Sequence, residues 1–88
     1  MRIGIVTGMV VSTQKDERLV GCKLLIVRQI DGGGNIIGND EVAVDVMGAG
    51  IGERVLICQG SPAKALLNNP QAPVDLAVVG IIDDMGNN

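Results

Sequence analysis

Residues 2–12 alternate, with Ile3, Ile5, Met9 and Val11 on one side of an extended chain and Gly4, Val6, Gly8 and Val10 on the other. A period of two predicts a β-strand. Glycines along one side of a strand mark a bulge, a tight barrel bend or a close backbone approach, so Gly4 and Gly8 predict a sharply curved sheet. The polar stretch Gln14 to Arg18 separates this strand from a second, Leu19 to Asp31. There Val20, Cys22, Leu24 and Ile26 share one face, and Leu25 and Val27 are apolar on the other. Asp31-Gly32-Gly33-Gly34-Asn35 follows, a loop whose glycines permit the positive φ of a tight reversal. A third strand, Glu41 to Met47, is expected to turn Val42, Val44 and Val46 inward and Glu41, Ala43 and Asp45 outward. The fourth is Arg54 to Cys58. Ser61 as N-cap and Pro62 at the first helical position then predict one short helix ending before Asn68-Asn69-Pro70. Asp75 to Asp83 gives the last strand, where Leu76, Val78 and Ile82 oppose Ala77, Val79 and Ile81.

Five strands, one short helix and glycine bends predict an all-β fold, a small closed or nearly closed barrel, because a flat sheet of this length leaves its edges unprotected. Residues 1–84 form one domain on this reading, and 85–88 a short polar tail. The second and last strands are apolar on both faces, yet only one face of a small barrel looks into its core. Outer apolar surface on that scale predicts a homo-oligomer.

Composition removes whole classes of function. The 88 residues include no His, Phe, Tyr or Trp. Without histidine the usual general base and the commonest zinc ligand are missing, so neither an enzyme nor a metal or other cofactor is expected. Without aromatic rings there is nothing on which a base can stack, and a formal net charge of −3 opposes phosphate binding, so no nucleic acid is expected. The N-terminal apolar run is interrupted before signal-peptide length, and no segment approaches a membrane span, so the expectation is a cytosolic protein. Cys22 and Cys58 form no C-x-x-C pair and are expected to be reduced, buried hydrophobes.

Gly48-Ala49-Gly50-Ile51-Gly52 has the look of half a dinucleotide fingerprint, but that motif opens a helix and this one leads into a strand. Two readings stay open. One is a bulged connection that needs positive φ; the other is a loop that closely approaches a symmetry axis or a small anion. The ten carboxylates are scattered. Asp45 and Asp75, in or beside apolar strands, are expected to bond backbone amides or to pair with a cation, with Arg2, Arg28 and Arg54 as candidates.

Gly48-Ala49-Gly50-x-Gly52-Glu53-x-Val55-Leu56, Gly60-Ser61-x-Ala63-Lys64, Pro73-Val74-Asp75-Leu76 and Val79-Gly80-Ile81-Ile82-Asp83 occur here in that order. With the opening Val6-Thr7-Gly8-x-Val10-Val11-Ser12-Thr13 and the segment Lys23 to Val27, this set resembles the CcmL/EutN family of bacterial microcompartment shell proteins along nearly the whole chain. The resemblance implies an OB-like β-barrel that assembles as a homopentamer, caps the five-fold vertices of a shell enclosing enzymes, and meets the hexameric shell proteins of the same body. Candidate contacts between copies are then Leu25, Val27, Arg54, Ser61, Lys64 and Asp75, with residues 48–52 at the five-fold axis. Lys64 departs from the arginine of many relatives and lacks the two-pronged contact of a guanidinium. The alternative function is a small homo-oligomeric binding module that holds an anionic metabolite at the glycine loop.

Overall fold

The computed structural model describes residues 1–11, 19, 22–60, 63 and 74–84. Five strands follow in order: β1 Arg2–Met9, β2 Lys23–Gln29, β3 Glu41–Asp45, β4 Arg54–Gln59 and β5 Leu76–Ile82. They close into a barrel with neighbours in the order β1-β2-β3-β5-β4 and back to β1. Four of the pairings are antiparallel; β3 and β5 run parallel, in register through Val44↔Ala77 and Asp45↔Val78. This is the closed barrel expected from the alternation and the glycines, with the OB-like topology that the resemblance implies. Closure removes the free edges that a five-stranded sheet would otherwise present. Of the expected helix after Ser61 and Pro62 only Ala63, helical and buried, is among the described residues, and Lys64 and the tail 85–88 lie outside them.

An aliphatic core fills the barrel: Val6, Leu25, Val27, Ala43, Ala49, Val55, Ile57, Leu76 and Val78, with Ile81 packed against it. A second cluster of Leu19, Leu24 and Val44, with Val10, Cys22 and Val74 against it, lies on the outside of β2 and β3. These two clusters correct the expected faces. Leu25 and Val27 have no exposed surface and point into the barrel, so they are not outward contacts. On β3 the small Ala43 is the inward residue, while Val42 is 46% exposed and Val44 belongs to the outer cluster. The physical reason is volume. A five-stranded barrel has a narrow interior, and an alanine on β3 leaves room for the leucine and valine that β2 drives inward.

Two bulges set which residues look in. Between β1 and β2, Val6 faces Val27 and Gly8 faces Ile26, leaving Thr7 as the extra residue. Between β4 and β5, Leu56 faces Gly80 and Ile57 faces Val78, leaving Val79 extra. Each inserted residue shifts the inward phase by one and adds curvature. Beyond Val79 it is therefore Ile81, not Ile82, that packs on the core. Gly4 supplies a close approach: a Cβ there would overlap the Cδ1 of Ile57 and sit 3.0 Å from the Arg28 carbonyl oxygen. Cys22 and Cys58 are free thiols, half-buried rather than fully buried as expected.

Candidate functional site: the glycine loop at one end of the barrel

β1 and β3 end, and β4 begins, at the same end of the barrel, because β1 is antiparallel to both β2 and β4 while β2 is antiparallel to β3. Residues 46–53 span that end. Their shape is fixed by a carboxylate: Asp45 Oδ1 accepts from the Met47 amide at 2.8 Å and the Gly48 amide at 3.1 Å, and Oδ2 accepts from the Ala49 amide at 2.8 Å. The Asp45 side chain has no exposed surface, and its charge is met by Lys23 Nζ at 3.5 Å from Oδ2. The same ammonium donates to the Ala49 carbonyl at 2.8 Å. Lys23 and Asp45 are direct cross-strand partners on β2 and β3, so the sheet register itself brings this clasp together.

Ala49, thus held, buries its methyl group in the core as the plug of this end. Gly48 at φ 81° and Gly52 at φ 90° take the left-handed conformation, and a Cβ at either would meet nothing within 4 Å. Backbone conformation, not crowding inside the chain, therefore requires glycine at both. Gly50 has neither constraint: a Cβ there would sit 3.4 Å from Glu53 Oε1 in ordinary contact. The Gly50 amide donates to Glu53 Oε1 at 2.6 Å and the Gly52 amide to the Val6 carbonyl at 2.8 Å. Ile51 projects at the tip, exposed.

This geometry meets the positive-φ reading of the loop and bears directly on the anion. The amides of 47, 48, 49, 50 and 52 are all spent on the protein's own oxygens. An anion nest needs free N–H groups converging on one point. The loop is therefore not a nest waiting for a small anion, and the anionic-metabolite alternative loses its site.

The other candidates are dispersed. The expectation for Asp45 holds in its first form, amide bonding; its cation is Lys23, because Arg2 forms a two-pronged pair with Glu41 at 2.9 and 3.2 Å and Arg28 lies 3.6 Å from Asp40. Arg54 opens β4 on the outer wall, its guanidinium against Gly34 of the β2–β3 loop. Among the described residues it has no carboxylate partner. Asp75 is exposed at the opposite end of the barrel, where its carbonyl accepts from the Gly60 amide at 2.8 Å. Ser61 and Lys64 lie outside the described residues. Away from the site, the Asp31 carboxylate folds the β2–β3 loop. Its Oδ1 accepts from the Gly33 and Asn35 amides, both at 2.9 Å. These bonds, the Asn35 amide first, hold its pKa below the ordinary aspartate value.

A barrel of this topology has known counterparts. The family model described as ethanolamine utilisation protein EutN/carboxysome matches residues 1–83. The chain belongs to the EutN/CcmL family. Among curated EutN/CcmL relatives, the bacterial microcompartment shell vertex protein PduN of Salmonella typhimurium is 48% identical over 89 residues, covering 97% of this chain and 98% of its own. The carboxysome shell vertex protein CcmL of a Nostoc species is 55% identical over 84 residues, covering 94% and 83%. The solved structure of Nostoc CcmL superposes with a TM-score of 0.86 over 94% of this chain and 89% of that one. GrpN, a pentameric microcompartment shell protein from Rhodospirillum rubrum, superposes with a TM-score of 0.87 over the full length of both chains at 41% identity.

Proposed function

We propose that this chain is a structural shell protein that forms a homopentamer and caps the five-fold vertices of a bacterial microcompartment, a protein-walled body in the cytoplasm, without a catalytic step of its own. The observation that carries the reading is end-to-end correspondence. A relative named as a shell vertex protein matches 97% of this chain and 98% of its own, and a pentameric shell protein superposes over both chains entire. Chemistry agrees, since a barrel packed with aliphatic side chains and a loop whose amides are spent internally is built to hold a shape.

The reading includes two finer statements. Residues 48–52 lie near the five-fold axis, where five backbones converge and glycine tolerates the approach. The outer rim of the ring meets hexameric shell proteins of the same body. Gly50 is the informative position for the first, because the single chain leaves its Cβ direction in ordinary contact. Gly50→Val is expected to keep the barrel folded while hindering ring closure, and a variant that assembles like the parent places the loop away from the axis. The vertex role is tested by co-production with hexameric shell proteins. Shells made without this chain are expected to stay open or elongated and to close when it is supplied. Shells that close equally well without it contradict the reading.

A further inference from the structure

Asp31 is the only aspartate or asparagine in the chain that directly precedes a glycine. That pairing has a chemistry of its own. Gly32 has no Cβ to shield its nitrogen and turns freely, so in an open loop the nitrogen is able to reach the Asp31 Cγ. The N–Cγ bond then forms and a Cγ–O bond breaks, the oxygen leaving as water with the Gly32 amide proton and the carboxyl proton. Water adds back to the cyclic imide. Opening at Cγ restores aspartate. Opening at the Asp31 carbonyl carbon gives isoaspartate, in which the main chain runs through Cγ and the former carbonyl is a free carboxylate. Nothing is oxidised or reduced, and water is the only co-reactant.

The folded loop opposes each part of this sequence. Oδ1 accepts from the Gly33 and Asn35 amides, both at 2.9 Å, and Oδ2 accepts from the Asn35 side-chain amide at 3.3 Å, so both carboxyl oxygens are engaged by residues beyond Gly32. The Gly34 amide donates to the Asp31 carbonyl at 3.0 Å and the Asp31 amide to the Asn35 carbonyl at 2.9 Å. Carrying Cγ onto the Gly32 nitrogen therefore breaks several bonds at once. Loss of an oxygen as water also needs the uncharged acid, and the same bonds, the Asn35 amide first, hold the Asp31 pKa below the ordinary aspartate value. Burial gives no protection, since Gly32 and Gly33 are exposed to water.

We infer that Asp31–Gly32 is this chain's site of spontaneous isomerisation to isoaspartate, and that the turn built on the Asp31 carboxylate holds the reaction in check. The modification would undo the turn that restrains it. It adds a methylene to the main chain, removes the side-chain acceptor of Gly33 and Asn35, and converts the carbonyl to which Gly34 donates into a carboxylate. The loop's other ties, Arg28 Nε donating to the Gly38 carbonyl at 3.1 Å and the Arg54 guanidinium against Gly34, then lose the shape they hold.

The test incubates the full chain, folded and in guanidinium chloride, at one mildly acid pH and temperature, with Gly32→Ala and Gly34→Ala beside the parent. Isoaspartate is counted by methyl transfer from S-adenosylmethionine with a protein isoaspartate methyltransferase, and located by mass spectrometry of the tryptic peptide 29–54. Both substituted positions lie outside the strands, so each variant is expected to keep the parent's circular dichroism. In denaturant, isoaspartate is expected to collect at Asp31 ahead of every other aspartate and asparagine, and to fall away in Gly32→Ala. The folded parent is expected to accumulate it about 10-fold more slowly, the factor that a few net hydrogen bonds on an exposed loop supply. Gly34→Ala, strained at φ 87°, is expected to lie between the two. Isoaspartate that collects at another position in the unfolded chain overturns Asp31 as the site. A folded parent that isomerises as fast as the unfolded chain, or a folded Gly34→Ala as slow as the parent, overturns the turn as its guard.

Discussion

Replacing Asp45 by alanine removes the acceptor for three backbone amides and the counter-charge of Lys23 in one step. The Met47 and Gly48 amides sit in exposed backbone and regain water, so each accounts for roughly 0.5–1 kcal/mol. The Ala49 amide is part-buried behind the methyl group that plugs the barrel and has less access to solvent, so its charge-assisted bond accounts for about 2 kcal/mol. Lys23 is 38% exposed at its side chain and is rehydrated, so loss of the ion pair adds little. The sum is a destabilisation of about 3–4 kcal/mol. Asp45→Asn keeps one oxygen for Met47 and Gly48 but turns an NH₂ group toward the Ala49 amide, so its cost falls near 2 kcal/mol, between parent and alanine. Urea unfolding, followed by circular dichroism at one fixed protomer concentration, measures both because ring formation adds a concentration-dependent contribution. With a slope of about 1 kcal/mol/M for a chain of this size, the midpoint of the alanine variant is expected to drop by about 3 M. A midpoint within 0.5 M of the parent, taken as roughly the scatter of such measurements, would refute the clasp as the element that holds the loop.

Val27→Asp is expected to abolish the folded barrel rather than to weaken assembly alone, because Val27 has no exposed surface and the charge would enter the core unpaired; a folded, monomeric barrel by circular dichroism and sedimentation would contradict its inward placement. Gly4→Ala is expected to cost about 1–3 kcal/mol by urea unfolding, since its methyl would overlap Ile57 and press on the Arg28 carbonyl, and an unchanged midpoint would mean that the strand relaxes freely. Acid is expected to loosen the β2–β3 loop. Asp31 titrates below an ordinary aspartate in the folded chain, so its contribution is complete above the unfolded value and is lost as pH falls through the lowered one. A carboxyl titration of Asp31 by NMR should show that lowered midpoint, with faster exchange of the Asn35 amide beneath it; an ordinary midpoint would refute the turn geometry.

The strand alternation and the glycines made the barrel legible in the sequence, but not which face of each strand looks in. On β2, Leu24, Leu25, Ile26 and Val27 are apolar without a break, so period two carries no direction there, and the strand's phase is set by its neighbours. On β3 the more apolar face pointed outward, because the barrel's width selected Ala43 for the interior and a second cluster covered Val44. The bulges at Thr7 and Val79 stand directly before Gly8 and Gly80, and a strand glycine signals a bulge or a bend without saying which residue is the extra one. Asp45 is the instructive middle case. An aspartate three residues before Gly48 carries a turn signal of its own, so amide bonding was readable, whereas Lys23 as its cation required the β2–β3 register. The anion-binding reading failed for the same cause: the sequence shows the glycine amides but not the carboxylates already seated on them.

Native mass spectrometry of the intact protein at micromolar concentration tests the central claim most directly. The predicted species is a single assembly of five times the 9.1 kDa chain mass, dissociating on activation into monomer and tetramer. A dominant monomer or dimer under conditions where the barrel is folded would contradict it.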